Sequence, residues 1–134
     1  MAMKISVDHI GIPAADPVAL KNWYEHALGT RTIWDSGEIP PAYLVAFSGG
    51  GWLEIYAAKE RQSAPENNNL QGFRHLALRV DSLEAATAEA TRRGVVFTKE
   101  PGPAAGACNT LLTPKATCCT SSSDRKIPNW TGRA

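Results

Sequence analysis

The chain has 134 residues, 43% of them hydrophobic and 20% charged, with a formal net charge of +1. That length and balance describe one globular domain with a true core, and they argue against a disordered or fibrous chain. Without a basic excess or an apolar run of 18 residues, neither a nucleic-acid surface nor a membrane span is expected, and a cytoplasmic location is the default.

In chain order, Ile5–Ile12 alternates as a strand, and "DPVALKNWYEHALG" follows as a helix. Asp16 supplies a cap, Pro17 the first helical position and Gly29 the stop. Leu20, Trp23, Tyr24, Ala27 and Leu28 recur at helical spacing as its apolar face. Strands are predicted at Arg31–Ser36, Ala42–Ser48 and Trp52–Ala57, separated by turn-rich "GEIPP" and "GGG". After the polar stretch 64–72, the pattern starts again. Phe73–Val80 reads as a strand, Asp81 as the cap of a helix through Arg93, Gly94 as its stop, and "VVFTKE" as a further strand.

This is an internal repeat. His9 falls on His75, Asp16 on Asp81 and Gly29 on Gly94, at offsets of 66, 65 and 65. Module one spans 4–62 and module two 71–134, within a single domain over 1–134.

Strand parity then gathers chemistry on one face. His9 shares a side with Val7 and Gly11, and Glu54 with Trp52 and Tyr56, while His75 shares one with Phe73, Ala77 and Arg79. The aliphatic residues between them are suited to lie under the helices. Two imidazoles and a carboxylate form a metal-ligand inventory if the faces meet. Taken singly, the histidines would more often be ordinary half-buried strand residues and Glu54 a solvated one, and Trp52 and Tyr56 could be core. Histidines at matching positions of a repeat favour the metal reading. His26, without a partner in the pattern, reads as surface.

The motifs "VDHIGI", "WLEIY", "FRHLALRVDSLEAA" and "RRGVVF" resemble the vicinal oxygen chelate superfamily over about residues 5–103. That superfamily includes glyoxalases, epimerases, extradiol dioxygenases, and fosfomycin- and bleomycin-resistance proteins. The resemblance implies an α+β fold of two βαβββ modules. These form a curled mixed sheet cup with helices outside, often paired as a homodimer. It also implies a divalent metal ion (Fe, Mn, Zn, Ni or Co) held by His9, Glu54 and His75, with Glu54 as the catalytic proton carrier. Trp52, Tyr56 and Phe73 would contact the small-molecule substrate. The alternative is a metal-free protein that sequesters an aromatic or amphipathic ligand in the same cup.

Residues 107–134 depart from the family pattern. The usual fourth ligand is a Glu on the last strand after a D-P-x-G-N turn, and this chain has neither. All three cysteines, Cys108, Cys118 and Cys119, lie here, with no second metal-type pair. The degenerate codons for 107–123, read one base out of register, permit V-Q-Y-A-F-D-P-E-G-N-V-L-H-L-V-Q, which restores the turn and an alternating strand. The sequence therefore points to a frameshifted C-terminus that impairs the site. As printed, "NTLLT" and "ATCCT" have some strand propensity, and irregular pairing is expected of them.

Overall fold

The computed structural model describes residues 3–60, 76–97, 108–112 and 117–122, the last two stretches by backbone alone. The described residues fall into two compact units. In the first, the elements are β1 (His9–Ala14), α1 (Pro17–Leu28), β2 (Arg31–Asp35), β3 (Tyr43–Ala46) and β4 (Trp52–Ala57). In the second they are β5 (Leu76–Val80), α2 (Leu83–Arg92), β6 (Cys108–Leu112) and β7 (Thr117–Ser122). The fold is α+β, built on open mixed sheets.

The first sheet has the order β1-β4-β3-β2, with β1 parallel to β4 and the other pairs antiparallel. A parallel neighbour requires a crossover, which α1 and the hairpins supply. α1 begins where Asp16 accepts a hydrogen bond from the Ala19 N–H, and it ends at Gly29 in the left-handed conformation. Its buried residues Leu20, Tyr24 and Ala27 cover one face of the sheet. Beneath them lie Ile12, Val45, Leu53 and Ile55, all buried. This is the core of the unit.

β1 starts at His9, four residues later than the alternation of Ile5–Ile12 suggests. The reason lies in its partner. His9 pairs with Trp52, the first residue of β4, and the Gly49–Gly51 turn precedes it, so residues 5–8 have no ladder to join. Ile5 and Val7 are accordingly exposed.

β2 carries a register shift between Thr32 and Trp34. Thr32 turns toward α1, where its hydroxyl donates to Glu25 Oε1 at 2.6 Å and its backbone N–H donates at 3.1 Å. Lys21 Nζ lies 3.0 Å from the other Glu25 oxygen. The Thr32 hydroxyl, and then Lys21, hold the Glu25 carboxyl below its ordinary range.

In the second unit the order is β5-β7-β6, with β5 parallel to β7 and β6 antiparallel to it. β7 therefore takes the place β4 holds in the first sheet, and β6 that of β3. Irregular pairing was expected of this stretch, yet both ladders run without a register shift. The β-branched threonines of these two stretches favour extended backbone. In register, Ala77 faces Cys119 as Gly11 faces Glu54. The predicted strand at 95–100 is described only to Phe97, which makes an isolated bridge. The cap of α2 is Ser82, accepting from the Ala85 N–H at 3.2 Å, and not the expected Asp81.

On the exposed side of α2, Glu89 accepts from Arg92 and Arg93 at 2.6–2.8 Å. These bonds, Arg92 first, hold its carboxyl down to about 2, against an ordinary 4.5. A lowered folded-state value means stability present above 4.5 and lost as pH falls toward 2. Side-chain carbon NMR should find Glu89 titrating near 2 in wild type and back near 4.5 in the double variant Arg92→Gln, Arg93→Gln.

Candidate metal centre

The chemistry-bearing face of the first sheet lies opposite α1. Alternation puts Leu53 and Ile55 into the core, at 1% and 0% exposure, and so forces Trp52, Glu54 and Tyr56 onto the other side. On β1, Ile12 and Ala14 are buried, while His9 and Gly11 share the open face with Glu54. The parity read from the sequence holds here. β5 repeats it, with Ala77 and Arg79 exposed and Leu76, Leu78 and Val80 half-buried.

His9 Nε2 lies 3.5 Å from Glu54 Oε2, with both side chains about two-fifths exposed, at 40% and 38%. Its other ring nitrogen, Nδ1, lies 2.8 Å from Asp8 Oδ2. The Asp8 hydrogen bond pushes the imidazole above its ordinary value. The charges of Asp8 and Glu54 add to this, and partial burial opposes it. A carboxylate on the far ring nitrogen, as Asp8 is on Nδ1, commonly stands behind a metal-ligating histidine.

Two side chains of the donor types that a divalent ion takes stand together here. Imidazole and carboxylate together suit Zn, Mn, Fe, Co or Ni. Two donors each about 2.1 Å from a shared ion, at a near-tetrahedral angle, stand roughly 3.5 Å apart. His9 and Glu54 have that separation. Among the described residues no group of three or more His, Cys, Asp or Glu side chains converges on one point. His75, the expected third ligand, and Phe73, an expected substrate contact, lie outside the described residues.

Gly11 shapes the floor of the site. A Cβ placed there would stand 3.2 Å from Tyr56 Cε1, 3.6 Å from its hydroxyl and 3.8 Å from Glu54 Oε2. The Tyr56 ring thus packs over Gly11, where a Cβ would push its edge aside by a few tenths of an ångström. Gly11→Val should push the Tyr56 ring aside and crowd Glu54, and calorimetry with Mn(II) should then read weaker binding than wild type.

Sequence parity missed one residue of this face. Counting by twos through β2 puts Trp34 with Thr32, on the α1 side. The register shift reverses this, and Trp34 pairs with Leu44, which pairs in turn with Glu54. Trp34 is 47% exposed, in one row with Leu44, Glu54 and Gly11. Nothing in "RTIWD" announces a bulge. The available signal was the hydrogen-bonding demand of Glu25 on the helix, which Thr32 satisfies. His26, read as surface, is exposed in the last turn of α1.

Comparison with known proteins agrees with this architecture. An uncharacterised Bacillus subtilis protein, YwkD, is 33% identical over 96 residues, covering 67% of this chain and 73% of its own. TnmS3, an antibiotic-binding protein from Streptomyces, superposes with a TM-score of 0.67 at 21% identity, over 90% of this chain and 98% of that one. A variant of the fosfomycin resistance protein FosX from Listeria monocytogenes superposes with a TM-score of 0.65 at 14% identity, over 89% and 90% of the two chains. That protein was solved with Mn(II) and a dihydroxypropylphosphonic acid. Among the described residues, no helix is long and apolar enough to cross a membrane. The sequence profile of one family matches residues 6–110, and the chain belongs to it: the glyoxalase/bleomycin resistance protein/dioxygenase superfamily.

Proposed function

We propose that this chain is a metal-dependent enzyme acting on a small oxygen-bearing molecule, with His9 and Glu54 as ligands and His75 as the third donor. The observation that carries the reading is the 3.5 Å approach of His9 Nε2 to Glu54 Oε2 on an exposed sheet face. When bound there, a divalent ion supplies Lewis acidity toward substrate oxygens. The chain's own contributions are positional. His9 offers a ring nitrogen, Glu54 offers a carboxylate that can also accept and return a proton, and Tyr56 and Trp52 wall the site. FosX, solved with Mn(II), supports a divalent ion in this fold without fixing its identity. The chain works as a homodimer in this proposal, which light scattering at micromolar concentration checks. Metal analysis tests the central reading: one ion per chain after loading with Mn(II), Zn(II), Ni(II), Co(II) or Fe(II) supports it, and none overturns it.

A second reading has its own observation. Trp34, Trp52 and Tyr56 are each more than a third exposed on the same face, enough aromatic surface to hold a planar ligand without metal. The antibiotic-binding TnmS3 supports that use of the fold. In EDTA, quenching of tryptophan emission by 8-anilinonaphthalene-1-sulfonate, reversed in Trp34→Ala and Trp52→Ala, favours it. An unchanged spectrum counts against it.

The shifted reading frame over 107–123 is part of the proposal. It accounts for a stretch that lacks the family's turn and last-strand Glu while still occupying the strand positions β6 and β7. The coding DNA across codons 100–130 tests it, and codons that cannot encode the alternative strand refute it.

A further inference from the structure

Asp8 lies outside the ligand set, yet it makes the shorter of the two contacts to His9. Its Oδ2 is 2.8 Å from Nδ1, whereas Glu54 Oε2 is 3.5 Å from Nε2. An ionised carboxylate only accepts, so the hydrogen between Asp8 and His9 belongs to Nδ1. A neutral imidazole carries one ring hydrogen. With that hydrogen on Nδ1, Nε2 keeps its lone pair, facing Glu54.

We propose that Asp8 is a positioning residue: it fixes His9 in the Nδ1–H tautomer and aims the bare Nε2 at the Glu54 side of the face. The start of β1 explains why a neighbour in sequence can do this. In a continuing strand, residues 8 and 9 would point to opposite faces. The ladder begins only at His9, so Asp8 is released from that alternation and its carboxylate folds back beside the ring. Asp8 is 74% exposed, which makes the bond a poor contributor to stability and leaves orientation as its consequence. Carboxylates that hold the far nitrogen of a ligating histidine commonly change metal affinity by about 10- to 100-fold.

The purpose of this device rests on the metal reading above, whereas the tautomer does not, and the test separates the two. Two-bond proton–nitrogen NMR is recorded on the full chain at a pH where His9 is neutral, for wild type and Asp8→Asn. Mn(II) binding and Tm are measured on both proteins. The proposal expects the His9 proton on Nδ1 in wild type and a shift toward the Nε2–H form in Asp8→Asn. It also expects an unchanged Tm and a 10- to 100-fold loss of Mn(II) affinity. A wild-type His9 protonated on Nε2 overturns it, as does an Asp8→Asn protein with unchanged tautomer and affinity. If wild type binds no Mn(II), the metal reading fails, and the NMR comparison alone still decides the role of Asp8.

Discussion

His9→Ala and Glu54→Ala should each lower Mn(II) affinity by more than about 100-fold, since loss of an outer partner alone costs 10- to 100-fold. Both side chains are about two-fifths exposed, so truncating either leaves no core cavity and should barely change Tm. The contrast between lost metal and retained fold is the signature of a ligand. Glu54→Gln refines it, because the amide keeps the shape but not the charge of Glu54 Oε2, the atom 3.5 Å from His9. It should bind metal weakly. Calorimetry with Mn(II), read beside thermal melts of the same proteins, checks all three.

Ile55→Ala should severely destabilise the fold. Ile55 is fully buried at the centre of β4, between the hairpin partner β3 and the parallel partner β1. Truncating a buried Ile or Leu costs about 2–5 kcal/mol, through lost burial and the cavity left behind. On a domain of this size that lowers Tm by on the order of 10 °C. Leu53→Ala should behave alike, and Trp52→Ala, on the open face, should shift Tm by a fraction of that. Because Leu53 and Ile55 flank Glu54, any weakening of their packing also loosens Glu54 between them. Denaturant melts of the three variants check the order.

The parts of this architecture governed by local chemistry were legible in the residues. Asp16, Pro17 and Gly29 mark α1 because capping depends on side chains within one turn. Parity through "WLEIYA" separated Leu53 and Ile55 from Glu54 because β4 is regular. What escaped depended on partners distant in sequence. The register shift in β2 brings Trp34 to the face of Glu54, and only the pairing with β3 reveals it. The late start of β1 follows from where β4 begins, and it leaves Asp8 able to reach His9. Ser82 displaced Asp81 as the α2 cap, a choice between neighbours that both favour the position. In 108–122, strand propensity carried more weight than the break in the repeat suggested, and the backbone still forms two paired strands.

On the proposed reading, the open sheet face bearing His9 and Glu54 binds a divalent ion. Electron paramagnetic resonance of a Mn(II) titration measures this directly, because free and bound Mn(II) give distinct signals. Saturation at one ion per chain is expected in wild type, with the bound fraction lost in His9→Ala. A wild-type titration indistinguishable from buffer, or binding that survives both His9→Ala and Glu54→Ala, would contradict it.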